Sequence, residues 1–368
     1  RKEINYMRKI LTAIFTILLA TNNMQSVKHV NMNYALNALN NFIDKSIELG
    51  EKQWQNFSII DSEKIVDNQL EEYGYIFSLK SNSNEGYAIV TCEANACSVV
   101  EASYDSGSPF KGYEKNHYLV YYSPLEYLVI EKNKAMINSV SLTNIETNRT
   151  VNVDGDKKIR FVNNASTRAV PGETIRYINN YSTKFDAINQ NTNYNCVATS
   201  MAMCLRYLKN IGTISISFDG NSNPSAIAIR NKITDYYSSH SGADGVVRPA
   251  INNFGDNHCS PKISTRDDGF WGNSEQTDIS FQTVIDEINS NCPLVMMFNP
   301  GRVDSSITAK HATACVGYKT LSNTATGGIT FNYTIVRMPN VSSSSTVPTK
   351  QISWDYNNVH GYYLVCIW

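Results

Sequence analysis

Apolar positions along this chain change their spacing several times, and each change predicts an element. Residues 31–50, NMNYALNALNNFIDKSIELG, place Ala35, Leu36, Leu39, Phe42, Ile43 and Ile47 at helical intervals and stop at Gly50. This is the pattern of a helix with one buried face. The next runs are shorter. YIFSLKS and GYAIVTC flank the polar NSNE and predict a hairpin, and CSVVEASYD, YLVYY and EYLVIEK predict further strands. The region to about residue 140 therefore reads as one helix plus an antiparallel sheet.

Residues 141–180 are polar, with TNIETNRT, DGDKK and NNASTRAVPGET, and predict a linker or surface crossing. Lys157, Lys158 and Arg168 in it are open to nicking proteases. Beyond it, Val197, Met201, Cys204, Leu205 and Leu208 predict a helix over about 196–208. Residues 211–275 read as loop-rich, with Trp271 as a candidate for lining a cleft. SFQTVIDEINSN predicts a second helix, with Phe281, Val284, Ile285 and Ile288 on one side, and CPLVMMF a buried strand. KHATACVGYKT, ITFNYTIVRM and GYYLVCIW predict three more strands. Helices followed by a sheet point to the α+β class.

Composition sets outer limits. The 368 residues are 42% hydrophobic, enough for a sizeable core and about two domains. The net charge of −1 leaves no excess of basic residues for a phosphate backbone, so no nucleic-acid partner is expected. MRKILTAIFTILLATNN has Arg8 and Lys9 before a short apolar run from Ile10 to Ala20. That is the shape of a secretory signal, and the run is too short for an ordinary membrane span. An exported protein, with no membrane attachment once the signal is removed, is the expectation.

The eight cysteines lie at 92, 97, 196, 204, 259, 292, 315 and 366, without the paired spacing of a zinc site, so no metal or other cofactor is expected. Cys92 and Cys97 are close enough to close a small disulfide. Cys204, Cys315 and Cys366 sit in apolar runs as buried thiols.

Cys196 differs, because it opens a helix. Unpaired backbone N–H groups and the helix dipole there favour a negative charge, and with a nearby imidazolium they bring a thiol pKa from about 8.5 to roughly 3.5–7.5. Gln190, six residues upstream, can turn its amide back across the helix start and, with the Cys196 N–H, form an oxyanion hole. His311, at the mouth of a predicted strand, can exchange a proton with a facing thiol.

The order Gln190, Cys196 at a helix start, PLVMMF, HATACVGY, a hairpin strand and a closing GYYLVCIW resembles a papain-fold cysteine peptidase. NCVATSMAMCLRYL is similar to the active-site helix of the streptopain family and of the bacterial papain-like group that cleaves double-glycine leaders. The N-terminal helix with EEYGYIFSLKSNSNEGYAIVTCEANACSVVEASYDSGSPF resembles the streptopain pro-domain, so the likeness runs from about 30 to 368.

The resemblance implies a papain-like catalytic domain preceded by a smaller α+β pro-domain. The expected divisions are a signal region over 1–26, a pro-domain over 27–140, a cleavable crossing over 141–180 and a peptidase domain over 181–368. It implies Cys196 as nucleophile, His311 as base and acid, and Gln190 as oxyanion donor. Met338 stands where an Asn or Asp that orients the imidazole is expected; Asn340, two residues on, and Asp355 are the substitutes. The implied partners are a protein or peptide substrate and the chain's own pro-domain as inhibitor. A transglutaminase-type acyl transferase and an inactive papain-like binding protein are the rival readings.

Overall fold

The computed structural model describes residues 30–93, 96–123, 126–133, 139–146, 148–154, 159, 172–190, 195–239, 247–263, 265–268, 281–300, 311–323, 329–339, 347–354 and 359–367. The signal-like segment, Trp271, Asn340 and Asp355 lie outside them.

Helix α1, Met32–Glu48, buries Ala35, Ala38, Leu39 and Phe42. The Asn31 side chain accepts a bond from the Asn33 N–H at its start. Gly50, at φ 99°, takes the left-handed conformation that lets the chain leave the helix.

Strands β1 (Ser58–Val66), β2 (Glu72–Lys80), β3 (Glu85–Glu93) and β4 (Ala96–Ser103) come next as antiparallel neighbours. Strands β2 to β4 are buried almost throughout because both of their faces are covered. Tyr75, Phe77 and Val90 pack under α1, while Tyr73, Ile76 and Ile89 join a second cluster with Leu119 and Tyr121. The Cys92–Cys97 disulfide expected from spacing closes the β3–β4 end. Strands β5 (His117–Ser123) and β6 (Glu126–Glu131) and the hairpin β7 (Ser139–Asn144) and β8 (Arg149–Asp154) complete this half.

Residues 141–180, expected as a polar crossing, thus contain most of a hairpin and also β9 (Thr174–Tyr177), which pairs with β14 (His311–Asn323). The one-turn helix α2, Tyr181–Lys184, leads to α3, Cys196–Asn210. That helix is buried on nearly every side, including Met201, Ala202, Cys204 and Leu205.

The stretch expected to be loop-rich holds β10 (Ser215–Ile216), helices α4 (Ala226–Ser239) and α5 (Val247–His258), β11 (Cys259–Ser260) and β12 (Thr265–Asp268). Ile229 and Ile233, one turn apart on α4, and Ala250 and Ile251 on α5 enter the same core as α3. Helix α6, Phe281–Asn289, and strands β13 (Leu294–Pro300), β15 (Ile329–Arg337) and β17 (Val359–Ile367) match the periodicity of their segments, whereas β16 (Thr349–Ser353) is not among the expected strands.

One sheet joins the two halves. Its strands run β12-β17-β13-β14-β15-β16-β4-β3-β2-β1-β5-β6-β7-β8. The seam is β16 against β4, with Gln351 opposite Ala102 and Ile352 opposite Glu101. Leu321, Phe331 and Tyr333 of the C-terminal half enter the core beneath α1. Two buried lysines cross the seam. Lys319 Nζ donates to Glu51 Oε2 and Ser46 Oγ, both at 2.8 Å, and to Gln351 Oε1. Lys350 Nζ donates to Glu101 Oε1 at 3.3 Å and to the Tyr127 hydroxyl at 2.5 Å. Among the described residues no helix is long and apolar enough to cross a membrane.

Candidate active site

The helix start that carries Cys196 is tied down from two sides. Ser200, one turn into α3, donates its hydroxyl to the Ala312 carbonyl at 3.0 Å, fixing the helix against the first residues of β14. Asn195, just before Cys196, accepts a hydrogen bond on Oδ1 from Thr234 Oγ1 at 3.1 Å. One turn earlier on the same helix α4, Arg230 donates to the Asn189 carbonyl at 2.9 Å. Because positions i and i+4 share a helix face, α4 holds both ends of the stretch that runs from Gln190 to Cys196. Gln190 itself is buried, and its Oε1 has no hydrogen-bond partner among the described residues.

Cys196 is 8% exposed. Burial pushes its thiol above the ordinary cysteine value; the amides of Ala312, Val197 and Cys196 act in the opposite direction, and the Glu146 carboxylate adds to the rise. The helix start therefore supplies N–H groups as expected, but not a lowered pKa, because desolvation outweighs them. The Ala312 amide beside the sulfur places the thiol next to the residue after His311.

His311 opens β14 opposite Phe298 of β13. Its Nε2 is bonded to the carboxylate of Glu146, with side-chain exposures of 14% and 24%. Glu146 sits in the turn between β7 and β8, in the N-terminal half. Its N–H donates to Asn144 Oδ1 at 2.9 Å, and the neighbouring Ile145 N–H donates to the Tyr127 carbonyl at 3.0 Å. The fold thus brings together Cys196, the start of β14 and an acid from 165 residues upstream of His311. The ring's bonded partner is this carboxylate.

Met338, at the position where an orienting Asn or Asp is expected, is buried and binds through its backbone N–H to the Pro348 carbonyl. Asn340 and Asp355 lie beyond the described residues. Glu146, Arg230 and Thr234 stand in no motif that the sequence displays, and Ser200 lies within the Cys196 helix segment without being singled out there. For Arg230 and Thr234 the spacing of four residues was the available signal, once a helix is recognised there.

The thiols differ enough for a chemical test. Burial pushes Cys315 and Cys259 up to about 12 and Cys204 further. In the intact chain, alkylation of Cys196 is expected to follow an apparent pKa above the ordinary ~8.5 of a free thiol, and to move to lower pH when Glu146 is replaced by Gln. Mass-mapped iodoacetamide labelling across a pH series reads this; an unchanged midpoint in the Gln variant contradicts the charge effect.

Comparison with known proteins adds one positive finding. No curated protein matches the chain. Residues 182–361, just under half of the chain and including α3 and β14, match the family described as Peptidase_C39 like family. That match supports a papain-like cysteine peptidase fold for this part of the chain and points to cysteine peptidase, hence hydrolase, activity.

Proposed function

We propose that the protein is a secreted cysteine endopeptidase made as a zymogen, with Cys196 and His311 as its reacting pair. The Cys196 thiolate attacks the peptide carbonyl. His311 takes up the thiol proton and passes it to the leaving amine, and the Cys196 N–H with the Gln190 amide stabilises the oxyanion. Water then releases the acyl group. Asn340 or Asp355 orients the imidazole in the working enzyme. Protein or peptide is the substrate class, and the N-terminal half is the intramolecular inhibitor.

One observation carries the latency: the ring that has to serve Cys196 is held by a carboxylate from the N-terminal half. The same carboxylate raises the thiol pKa, so it disfavours the thiolate while it also occupies the ring. Displacing Glu146, after cleavage in the crossing, frees the ring.

A peptidase assay before and after limited proteolysis tests this. The intact chain is expected to be nearly inactive and the nicked chain active, with Cys196→Ala and His311→Ala inactive in both states and Asn340→Ala impaired. Equal activity before and after nicking contradicts latency. Nicked protein that neither hydrolyses peptides nor labels selectively at Cys196 favours the binding-protein reading.

A further inference from the structure

We infer that the N-terminal half stays bound to the catalytic half after the crossing is cut, as a tight non-covalent subunit. Retention of this kind rests on the proposed latency for its setting and concerns the molecule once it has been nicked. The seam has the construction of a domain interior. Main-chain pairing joins β4 to β16, the core beneath α1 is shared by both halves, and two lysines of the catalytic half find their acceptors across the seam.

Lys319 and its partner Glu51 are 0% and 1% exposed at their side chains. Glu51 also accepts from Tyr177 at 2.7 Å and from Gln351 Nε2 at 2.6 Å, so one acid of the N-terminal half ties together three elements of the other. Asp105 repeats the device at the rim, accepting from the Thr349 N–H at 2.8 Å and the Thr349 hydroxyl at 2.9 Å. The Tyr333 hydroxyl donates to the Val99 carbonyl at 3.0 Å.

Loss of the N-terminal half would bare the β16 edge beside Leu321, Phe331 and Tyr333. Open strand edges next to apolar surface invite self-association. The inhibitory group, by contrast, rides on the last hairpin of the sheet path. Strand β7 meets β6 at Leu128–Asn144 and Val129–Thr143. The hairpin at the sheet's end can move while the seam at its middle holds.

The test places a recognition sequence for a site-specific protease between residues 160 and 171 of the full chain and cuts it under native conditions. Size-exclusion chromatography with mass detection tracks the fragments. Co-elution at the position of the uncut chain, with separation in denaturant, is the expected result; fragments that part in native buffer overturn the inference. A Glu51→Gln version cut in the same way is expected to release its N-terminal fragment about tenfold faster or more, and an unchanged release rate overturns the role given to the buried pair. Iodoacetamide labelling of Cys196 is scored separately. Co-eluting fragments with Cys196 unlabelled sink the latency reading and leave retention standing, whereas a separated, labelled catalytic fragment does the reverse.

Discussion

Replacing Glu146 by Gln in the uncut chain is expected to speed Cys196 alkylation and peptide hydrolysis by about ten- to a hundredfold. The figure comes from the about 1.5–3 kcal/mol attached to a hydrogen bond with a charged group, at about 1.4 kcal/mol per tenfold. The amide keeps the shape of the side chain and the residue's backbone bond to Asn144, and it removes the negative charge bonded to the His311 ring. Two effects then add: the His311 ring is released, and the carboxylate that raises the Cys196 pKa is gone. Mass-mapped labelling and a fluorogenic peptide assay, both on intact chain, read the change. If the variant is as silent as the parent in both, Glu146 is not the lock.

The second large effect concerns stability. Lys319→Met is expected to lower the unfolding free energy by about 3–5 kcal/mol, because it leaves Glu51 buried without its cation. Adding Glu51→Gln to Lys319→Met is expected to restore much of the loss, since a neutral amide can still accept from Tyr177. Burial alone pulls the Lys319 pKa down, and the Glu51 carboxylate opposes this, so neither charge is tolerated well without the other. Urea denaturation of the single and double variants measures the difference. Equal stability of Lys319→Met and the parent would show that the pair does not hold the seam.

Much of the fold is legible in periodicity. The α1 stripe, the β2–β3 hairpin and the strands KHATACVGYKT, ITFNYTIVRM and GYYLVCIW carry their spacing in local sequence, and each formed the element its spacing predicts. What stayed hidden was structure whose apolar positions are few or whose partner is distant. The start of β1 reads poorly because Ile59 and Ile60 face solvent, at 40% and 59% exposure. Strand β9 is four residues whose pairing lies with Gly317 to Thr320, far along the chain. Helices α4 and α5 lie among Asn, Ser and Gly residues that read as turns.

The site divides in the same way. Cys196 and His311 stand out because each sits at the boundary of a recognisable apolar run. Glu146 is one acid in a polar stretch, and nothing in its neighbours announces His311. Only the course of the sheet, which carries the β7–β8 turn to the mouth of β14, makes that pair. Charged side chains that serve tertiary contacts leave no periodic trace, so the residues proposed to silence the site are less readable than those proposed to run it.

The short strand β9 has one more consequence. Gly317 lacks a Cβ that would come within 2.6 Å of the Arg176 carbonyl, and so lets β9 lie flat against β14. At the start of β9, the Gly172 carbonyl and the Thr174 N–H are both bonded to Thr320 Oγ1, at 2.7 and 3.1 Å. An aminopeptidase digesting inward from any break before residue 172 would meet a chain already woven into the catalytic sheet. The new amino end left by such a break should therefore be ragged on its outer side and stop sharply at this strand.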